Sequence, residues 1–397
     1  MIVNRGPDPS LLFYLLSVVG HRGFQPLRRS ALRNAHTCVC EWPPEDLIFS
    51  KFSHLKGRLK ISSSHFTSVR LKKGWLWARN MYPRLVILSR GPRLYSTRRL
   101  AEEAQKAGWA VRIIDPLSLT VVVDEKGGRI LHRGWPIECE AVIPRIGYSI
   151  TRRGVAIVRQ FEQMGVIVLN QSLSIEQSRD KLLASQVMAD AGVPIPVTAH
   201  VASTTDIDSA LARVGGVPCV VKATEGTQGS GVFLARNYPQ VRQLVSQMLE
   251  RGMKPLVQTY IEESHGKDIR VLVVGGKVAA AMRRRASGSE FRSNFHLGGS
   301  VEQVQLNEEF VSVALSAANI LGMDIAGVDL LESAKGPLVL EVNSSPGLEG
   351  IEGASRVNVA GAVAEHLNKR LEAVERQNQE EEELVNSPSD ESSVITD

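Results

Sequence analysis

Short apolar runs alternate with amphipathic stretches through residues 81–177. Leu85–Leu88 is an apolar run followed by Ser-Arg-Gly, a pattern typical of a buried strand that ends in a loop. Ser96–Gly108 has the spacing of a helix, with Ser96 as the expected N-cap and Gly108 as the stop signal. Three further apolar runs resemble the first: Ala110–Ile114, Ala141–Ile143 and Val166–Leu169. Strands that alternate with helices predict a small α/β domain with a parallel sheet.

Residues 178–374 follow a different pattern, in which strands also pair in hairpins. The clearest is a predicted hairpin of Ile269–Val274 and Lys277–Met282 around a Gly-Gly turn. Helices are predicted at Arg179–Ala191 and Ala354–Val374, and strands at Ile325–Leu331 and Leu338–Val342. This mixture predicts an α+β domain. The residues after it, 375–397, are rich in Gln, Glu and Ser and are expected to form an acidic disordered tail.

Composition narrows the class of protein. The chain has 397 residues, of which 43% are hydrophobic and 22% charged, as in ordinary globular proteins. It has no apolar stretch long enough to cross a membrane, so we expect no membrane partner. Four cysteines are too few for disulfide bonds to stabilise a chain of this length, which favours a location in the reducing cytoplasm.

The positive net charge is concentrated in residues 1–80, which hold 13 Lys and Arg but only 4 Asp and Glu. These residues show neither a clear period nor a motif. We interpret them as a basic extension that is disordered or precedes a native start at Met81. The alternative is a genuine basic arm that contacts RNA. Because the folded body lacks this excess charge, we expect it to have no direct nucleic-acid site.

A glycine-rich loop follows the predicted strand that carries Lys222. Gly226, Gly229 and Gly231 lie in it, and an apolar run follows at once, so the loop is expected to join two strands of a hairpin. Glycines let backbone N–H groups approach phosphate oxygens. The spacing matches neither a Walker loop nor a dinucleotide fingerprint, so a plain flexible hairpin remains an alternative.

Acidic and amide side chains interrupt two apolar strands near the end of the domain. Asp329 lies in the first, and Glu341 and Asn343 lie on one face of the second. Two carboxylates and an amide oxygen suit a hard cation such as Mg²⁺ or Mn²⁺, which often bridges substrate phosphates. The alternative is that the two acids pair with nearby arginines.

Arginines are clustered near these acids in the sequence. Arg270 follows Asp268 by two residues, Arg283–Arg285 ends the hairpin, and Arg292 comes after a short turn. Arginine binds carboxylates and phosphates through paired hydrogen bonds. Each arginine taken alone could equally belong to a solvated face.

Taken in order, these motifs resemble the ATP-grasp carboxylate–amine ligases, and within them the RimK-type α-L-glutamate ligases. The resemblance covers residues 84–374. It is carried by Leu88–Arg90, Ala141–Gly147, Arg179–Lys181, Val221–Lys222 with Glu225–Gly229, Asp268–Arg270, Phe291–Asn294, Ala326–Asp329 and Glu341–Gly350.

The resemblance implies an ATP-grasp fold after the α/β domain, with two lobes that join near residues 257–261 and hold ATP between them. It assigns adenine to the backbone of Thr259 and Tyr260, although family members often carry an acid in place of Thr259. Ribose is assigned to Asp268. The phosphates and the acyl site are assigned to Lys181, Lys222, Gly226, Gly229, Gly231, Arg292, Ser293 and Asn294. Two Mg²⁺ or Mn²⁺ ions are assigned to Asp329, Glu341 and Asn343, and the implied catalytic residues are Arg270 and Arg292.

The activity implied is ATP-dependent amide formation through an acyl phosphate. The substrates would be L-glutamate and the C-terminal tail of a small-subunit ribosomal protein, and the family resemblance also suggests a homotetramer. A small-molecule acceptor on the same fold is one alternative. A basic RNA- or ribosome-associated protein without enzymatic activity is the other.

Overall fold

The computed structural model describes residues 82–226, 231–288, 290–292 and 299–386. The predicted extension 1–80 therefore lies outside the described residues, as do residues 387–397 of the predicted tail. Among the site residues predicted from the sequence, Gly229, Ser293 and Asn294 also lie outside them.

A four-stranded parallel sheet forms the core of the N-terminal domain, in the order β2-β1-β6-β7. The domain consists of β1 Arg84–Leu88, α1 Tyr95–Lys106, β2 Ala110–Ile114, β3 Leu119–Asp124, β4 Gly127–His132, β5 Trp135–Pro136, β6 Ala141–Pro144, α2 Thr151–Gln163 and β7 Ile167–Val168. Leu85–Leu88 of β1 is buried throughout, because helices cover both faces of a parallel sheet. The predicted α/β class is confirmed.

Two details of this domain differ from the predictions. Strands β3, β4 and β5 form a separate antiparallel sheet that was not predicted. Ser96 does not cap α1, whose N-cap is Leu94 without a side-chain bond. The Ser96 hydroxyl instead accepts a hydrogen bond from the backbone N–H of Leu348, 2.9 Å away. A long-range contact has thus taken the place of the local cap.

The predicted helix Arg179–Ala191 is divided at Asp180. One helix ends at Arg179, and the next begins at Lys181 because the Asp180 carboxylate accepts hydrogen bonds from the backbone of Leu182 and Leu183.

These two helices begin the first lobe of the second domain. Its elements are α3 Ser172–Arg179, α4 Lys181–Asp190, β8 Thr198–His200, α5 Ile207–Val214, β9 Cys219–Ala223, β10 Val232–Ala235, α6 Tyr238–Glu250 and β11 Pro255–Thr259. The strand order of its sheet is β10-β9-β11-β8.

The chain leaves this sheet at Thr259 and enters a five-stranded antiparallel sheet at Lys267. The order of the five strands is β14-β13-β12-β15-β16. The remaining elements are β12 Lys267–Val274, β13 Lys277–Arg285, β14 Ser300–Gln303, α7 Glu308–Ile320, β15 Ile325–Ser333, β16 Gly336–Asn343, α8 Glu349–Ser355 and α9 Val359–Asn386. The predicted hairpin is β12–β13, and its register shifts between Leu272 and Val273.

The last helix corrects the predicted end of the domain. It runs to Asn386 rather than Val374, so residues 375–386, predicted to be disordered, are helical. Leu371 and Val374 pack against the core. The Gln- and Glu-rich residues beyond them extend a helix that is already nucleated. No helix in the described part of the chain is long and apolar enough to cross a membrane.

Candidate active site

Two lysines lie at the glycine loop between β9 and β10. Lys222 on β9 is 5% exposed, and its ammonium donates to Gln258 Oε1 on β11, 2.9 Å away. Lys181 begins α4, and its Nζ donates to the carbonyl of Gly226 at 3.2 Å. Burial, and then repulsion from Lys181, lower the pKa of Lys222 to about 8. Two neighbouring cations of this kind favour a bound anion.

The loop itself has the predicted hairpin form. Lys222 on β9 lies opposite Val232 on β10 in an antiparallel pair. Gly226 and Gly231 both have positive φ, of 149° and 77°, which a side chain would strain. Gly226, Gly231 and Lys222 thus belong to this hairpin, and Lys181 reaches it from the start of α4.

Three oxygen-bearing side chains lie on β15 and β16. Asp329 lies directly opposite Glu341, and Gly327 opposite Asn343. The side-chain amide of Asn343 donates to the carbonyl of Gly327 at 3.3 Å, which leaves its side-chain oxygen for another partner. In the part of the chain that the structure describes, the carboxylate of Glu341 makes no hydrogen bond or ion pair. The two carboxylates of this set are therefore cross-strand neighbours.

Asp329 is engaged differently from Glu341. Its two oxygens accept hydrogen bonds from Arg270 Nε and Nη2, each at 2.7 Å, and Arg284 Nη2 contributes another at 2.8 Å. Burial alone would raise the pKa of Asp329, but the two guanidiniums outweigh burial and lower it. The alternative of pairing with arginine thus describes Asp329 in this structure, and it does not describe Glu341.

Arg284 extends this pairing to Asp268, the residue predicted to hold ribose. Asp268 is 2% exposed and lies opposite Arg284, whose guanidinium binds both of its carboxylate oxygens. Asp268, Arg270, Arg284 and Asp329 therefore form a buried network of alternating charge. The predicted ribose contact would therefore compete with Arg284 for the Asp268 carboxylate.

Asp329, Glu341 and Asn343 carry the carboxylate and amide oxygens that a hard cation prefers as ligands. Glu341 and Asn343 offer oxygens on one face of β16, and Asp329 adds oxygens that are shared with its arginines. Among the described residues, no group of three or more His, Cys, Asp or Glu could hold a metal ion. A metal site here consequently depends on two carboxylates and one amide.

Arg292 lines a cavity and is paired with an acid two residues before it. Its guanidinium forms a fork with Glu290, with a hydrogen bond of 2.7 Å from Nη2 to Oε2. It lines a cavity of about 680 Å³ together with residues of β10 and α6. No other predicted site residue in the described part of the chain lines this cavity. Gly226 and Gly231 line a second cavity of about 330 Å³.

Where the chain passes from one lobe to the other, some polar groups already make hydrogen bonds within the protein. The N–H of Thr259 donates to the carbonyl of Val197 at 2.9 Å, and its hydroxyl donates to the carbonyl of Val214 at 2.9 Å. The Tyr260 hydroxyl contacts His265 Nδ1. The N–H of Thr259 is therefore engaged within the protein and is not free for the predicted adenine contact.

Comparison with known proteins decides the family. A RimK pre-ATP-grasp domain model matches residues 84–175, and a RimK-like ATP-grasp domain model matches residues 178–367. A "Probable alpha-L-glutamate ligase" of Aeromonas salmonicida is 48% identical over 285 residues, which are 72% of this chain and 96% of that protein. A protein of the same name from Azotobacter vinelandii is 46% identical over 290 residues, 73% of this chain and 96% of its own. The chain belongs to the RimK-like ATP-grasp family.

Solved structures agree on the fold of this RimK-like protein. The ATP-grasp ligase PsnB, complexed with its minimal precursor, has a TM-score of 0.58 at 22% identity and covers 73% of this chain and 99% of its own. A RimK-domain ATP-grasp protein of Sphaerobacter thermophilus has a TM-score of 0.56 at 20% identity, covering 71% and 98%. The predicted fold and the enzyme class, an ATP-dependent carboxylate–amine ligase, are confirmed.

Sequence reasoning did not assign the partners that hold these side chains. The run Arg283–Arg285 is not one basic surface, because successive residues on a strand face opposite sides. Arg284 is buried on Asp268, whereas Arg283 pairs with Glu332 at 2.7 Å and Arg285 with Glu302 at 2.8 Å. The alternation along β13 was the signal that could have separated them. Gln258 and Glu290 carried no comparable signal.

Proposed function

We propose that this RimK-like protein uses ATP to join the amine of L-glutamate to a carboxylate of an acceptor polypeptide. The C-terminal tail of a small-subunit ribosomal protein is the acceptor that we expect. One observation carries the proposal: the unpaired Glu341 carboxylate, in the described part of the chain, acts electrostatically on Lys222 of the glycine hairpin. A phosphate-binding pair of lysines beside an open oxygen ligand is what phosphoryl transfer requires.

In the first step, an acceptor carboxylate oxygen attacks the γ-phosphorus of ATP. A bond forms between that oxygen and phosphorus, the bond to the β-phosphate oxygen breaks, and ADP leaves. Lys181 and Lys222 bind the phosphate oxygens and stabilise the charge that develops on them. A free carboxylate cannot acylate an amine directly, because its oxide is a poor leaving group, and phosphorylation removes that obstacle.

In the second step, the uncharged amine of L-glutamate attacks the carbonyl carbon of the acyl phosphate. The C–N bond forms, the C–O bond to phosphate breaks, and the departing phosphate takes up the proton that the amine loses. The hairpin that carries Gly226 and Gly231 excludes water, which would otherwise hydrolyse the acyl phosphate.

Asp329, Glu341 and Asn343 would hold one or two Mg²⁺ or Mn²⁺ ions, which supply positive charge to the transferring phosphoryl group when bound. Arg270 keeps the Asp329 carboxylate in place through two hydrogen bonds of 2.7 Å. Arg292 lines the larger of the two cavities, and an anionic substrate group would compete with Glu290 for its guanidinium.

The test is to incubate the protein with ATP, L-glutamate and synthetic peptides, and to follow peptide mass and ADP together. We expect mass additions in steps of one glutamate residue, with one ADP per step. The matched control is the same peptide with its C-terminal carboxylate amidated, which should gain nothing. ADP release without any mass addition to peptides, but with glutamate joined to a small carboxylic acid, would support the small-molecule alternative instead.

A further inference from the structure

Arg145 lies where the strand order of the N-terminal sheet reverses. From β1 the chain passes to β2 on one side, while β6 pairs with β1 on the other. Arg145 follows β6 directly, and its backbone N–H donates to the carbonyl of Leu88 at the end of β1, 2.8 Å away. In open parallel sheets, ligands bind beyond the carboxyl ends of the strands at such a point.

A second arginine reaches the same loop. Arg179 is the last residue of α3, and its Nη2 donates to the carbonyl of Ile146 at 2.5 Å. Arg145 Nη2 donates to the carbonyl of Pro346 at 2.8 Å. Both arginines are half-buried, and in the described part of the chain neither forms an ion pair. Each guanidinium carries five donors, so most remain for a ligand, including the buried Nε of Arg179 that has no partner there.

The charges around these arginines are unbalanced. Burial, and then repulsion from Arg179, lower the pKa of Arg145 to about 10. Burial also lowers the pKa of Arg179, and Glu341 opposes that effect. The same Glu341 acts on Lys222, which is repelled by Lys181. Glu341 therefore acts on one cation of each pair, Arg179 and Lys222, and in the described part of the chain neither arginine has a carboxylate partner of its own.

Under the proposed function, the ATP phosphates bind the lysine pair. We propose that Arg145 and Arg179 bind a carboxylate of the incoming L-glutamate and hold its amine toward the acyl phosphate. This inference rests on the proposed function and adds a site for the amino-acid substrate to it. Phosphorylation turns the acceptor carboxylate oxygen into the bridging oxygen of an acyl phosphate, so the negative charge moves to the phosphoryl group that the lysines bind. The carboxylates of the incoming glutamate stay charged throughout, and the two arginines match them through paired hydrogen bonds.

The test uses hydroxylamine, a nucleophile without a carboxylate, in place of glutamate. Arg145→Gln and Arg179→Gln should raise KM for glutamate about tenfold or more, the loss expected for one charge-assisted pair. Their KM for ATP should stay within about twofold of wild type. Both variants should still form the acceptor hydroxamate from hydroxylamine at near the wild-type rate. Arg179→Lys, which keeps the charge but loses the fork, should fall between them and wild type.

The matched control is Arg159→Gln. Arg159 is an exposed arginine on α2 that pairs with Glu176 of α3, the helix that ends at Arg179. Its loss should leave KM for glutamate, KM for ATP and the rate of hydroxamate formation unchanged. An unchanged KM for glutamate in the Arg145 and Arg179 variants would overturn the inference, as would a parallel loss of hydroxamate formation. Failure of the wild-type protein to form any hydroxamate would instead overturn the proposed function, which keeps the two failures distinct.

Discussion

Lys222 is a cation of the candidate active site whose pKa is lowered toward neutral pH. Its pKa of about 8 reflects burial on β9 and the proximity of Lys181. A bound phosphate favours the charged ammonium and therefore raises this pKa. The affinity for ATP consequently depends on how much of Lys222 is protonated in the free protein.

We predict that the affinity for ATP is constant below about pH 7 and falls above about pH 8, approaching tenfold per pH unit. The sign follows because the free protein must take up a proton on Lys222 before it binds ATP at high pH. Isothermal titration calorimetry from about pH 6.5 to about 9.5 measures this dependence. Lys222→Arg, which stays charged across that range, should flatten it. An ATP affinity of the wild-type protein that did not change through pH 9 would contradict this assignment.

Asp329 and Glu341 should respond differently to loss of their charge. Both Asp329→Asn and Glu341→Gln should abolish ligation, because each removes a charged oxygen ligand. Only Asp329→Asn should also lower stability, by about 3 kcal/mol, since it leaves Arg270 and Arg284 without their shared carboxylate. Thermal unfolding of the two variants makes this comparison. Equal melting temperatures would show that the buried network does not contribute as described.

At the scale of elements, the two domains are joined by side chains that bond to backbone. Asn170, two residues after the end of β7, is fully buried and donates to the carbonyls of Ile325 and Ser344, at 2.7 and 3.0 Å. It also accepts from the N–H of Ile325 at 2.7 Å. Ser344 is the residue after the candidate ligand Asn343, so this contact sets the position of the end of β16.

We predict that Asn170→Ala lowers the free energy of unfolding by about 3 kcal/mol, because buried backbone groups lose their partner. The comparison is Asn237→Ala, which removes an exposed helix cap of α6 and should cost about 1 kcal/mol. Urea unfolding of both variants measures the difference. The account would be wrong if the two substitutions cost the same.

The elements that the sequence predicted are those whose patterns are local. β1 and the β12–β13 hairpin follow from apolar runs and a Gly-Gly turn. The break at Asp180 also had a local signal, an N-cap residue, but the helical spacing on both sides obscured it. The extension of α9 to Asn386 was missed because composition alone predicts disorder, whereas the packed helix before it removes the cost of nucleation.

The residues of the candidate site could be predicted from the sequence, but their partners could not. Residue types predicted Lys222, Asp329 and Glu341, because a lysine before a glycine loop and acids in apolar strands are visible in the sequence. Their partners were not visible. That Asp329 meets Arg270 and Arg284 depends on the register of three strands, and no spacing along the chain encodes that register.

At the scale of the whole molecule, the matched family domains begin at residue 84. We predict that a protein that starts at Met81 keeps its ligase activity and its melting temperature. A protein that starts at Gly91 should fail to fold, because it lacks β1, the strand between β2 and β6. Circular dichroism and activity of the two shortened proteins test this. Loss of activity on removing residues 1–80 would mean that these residues take part in the working enzyme.

The central claim is that an acceptor carboxylate is phosphorylated before it meets the amine. The most direct measurement uses a peptide acceptor whose C-terminal carboxylate carries ¹⁸O, with ATP and L-glutamate. One oxygen passes from the carboxylate to phosphorus in the first step and leaves with phosphate in the second. Only the first addition to each peptide uses the labelled carboxylate, so the mechanism predicts one ¹⁸O-labelled phosphate for each peptide that is extended, whatever the number of later additions. Extended peptide without an equal amount of ¹⁸O-labelled phosphate would contradict it.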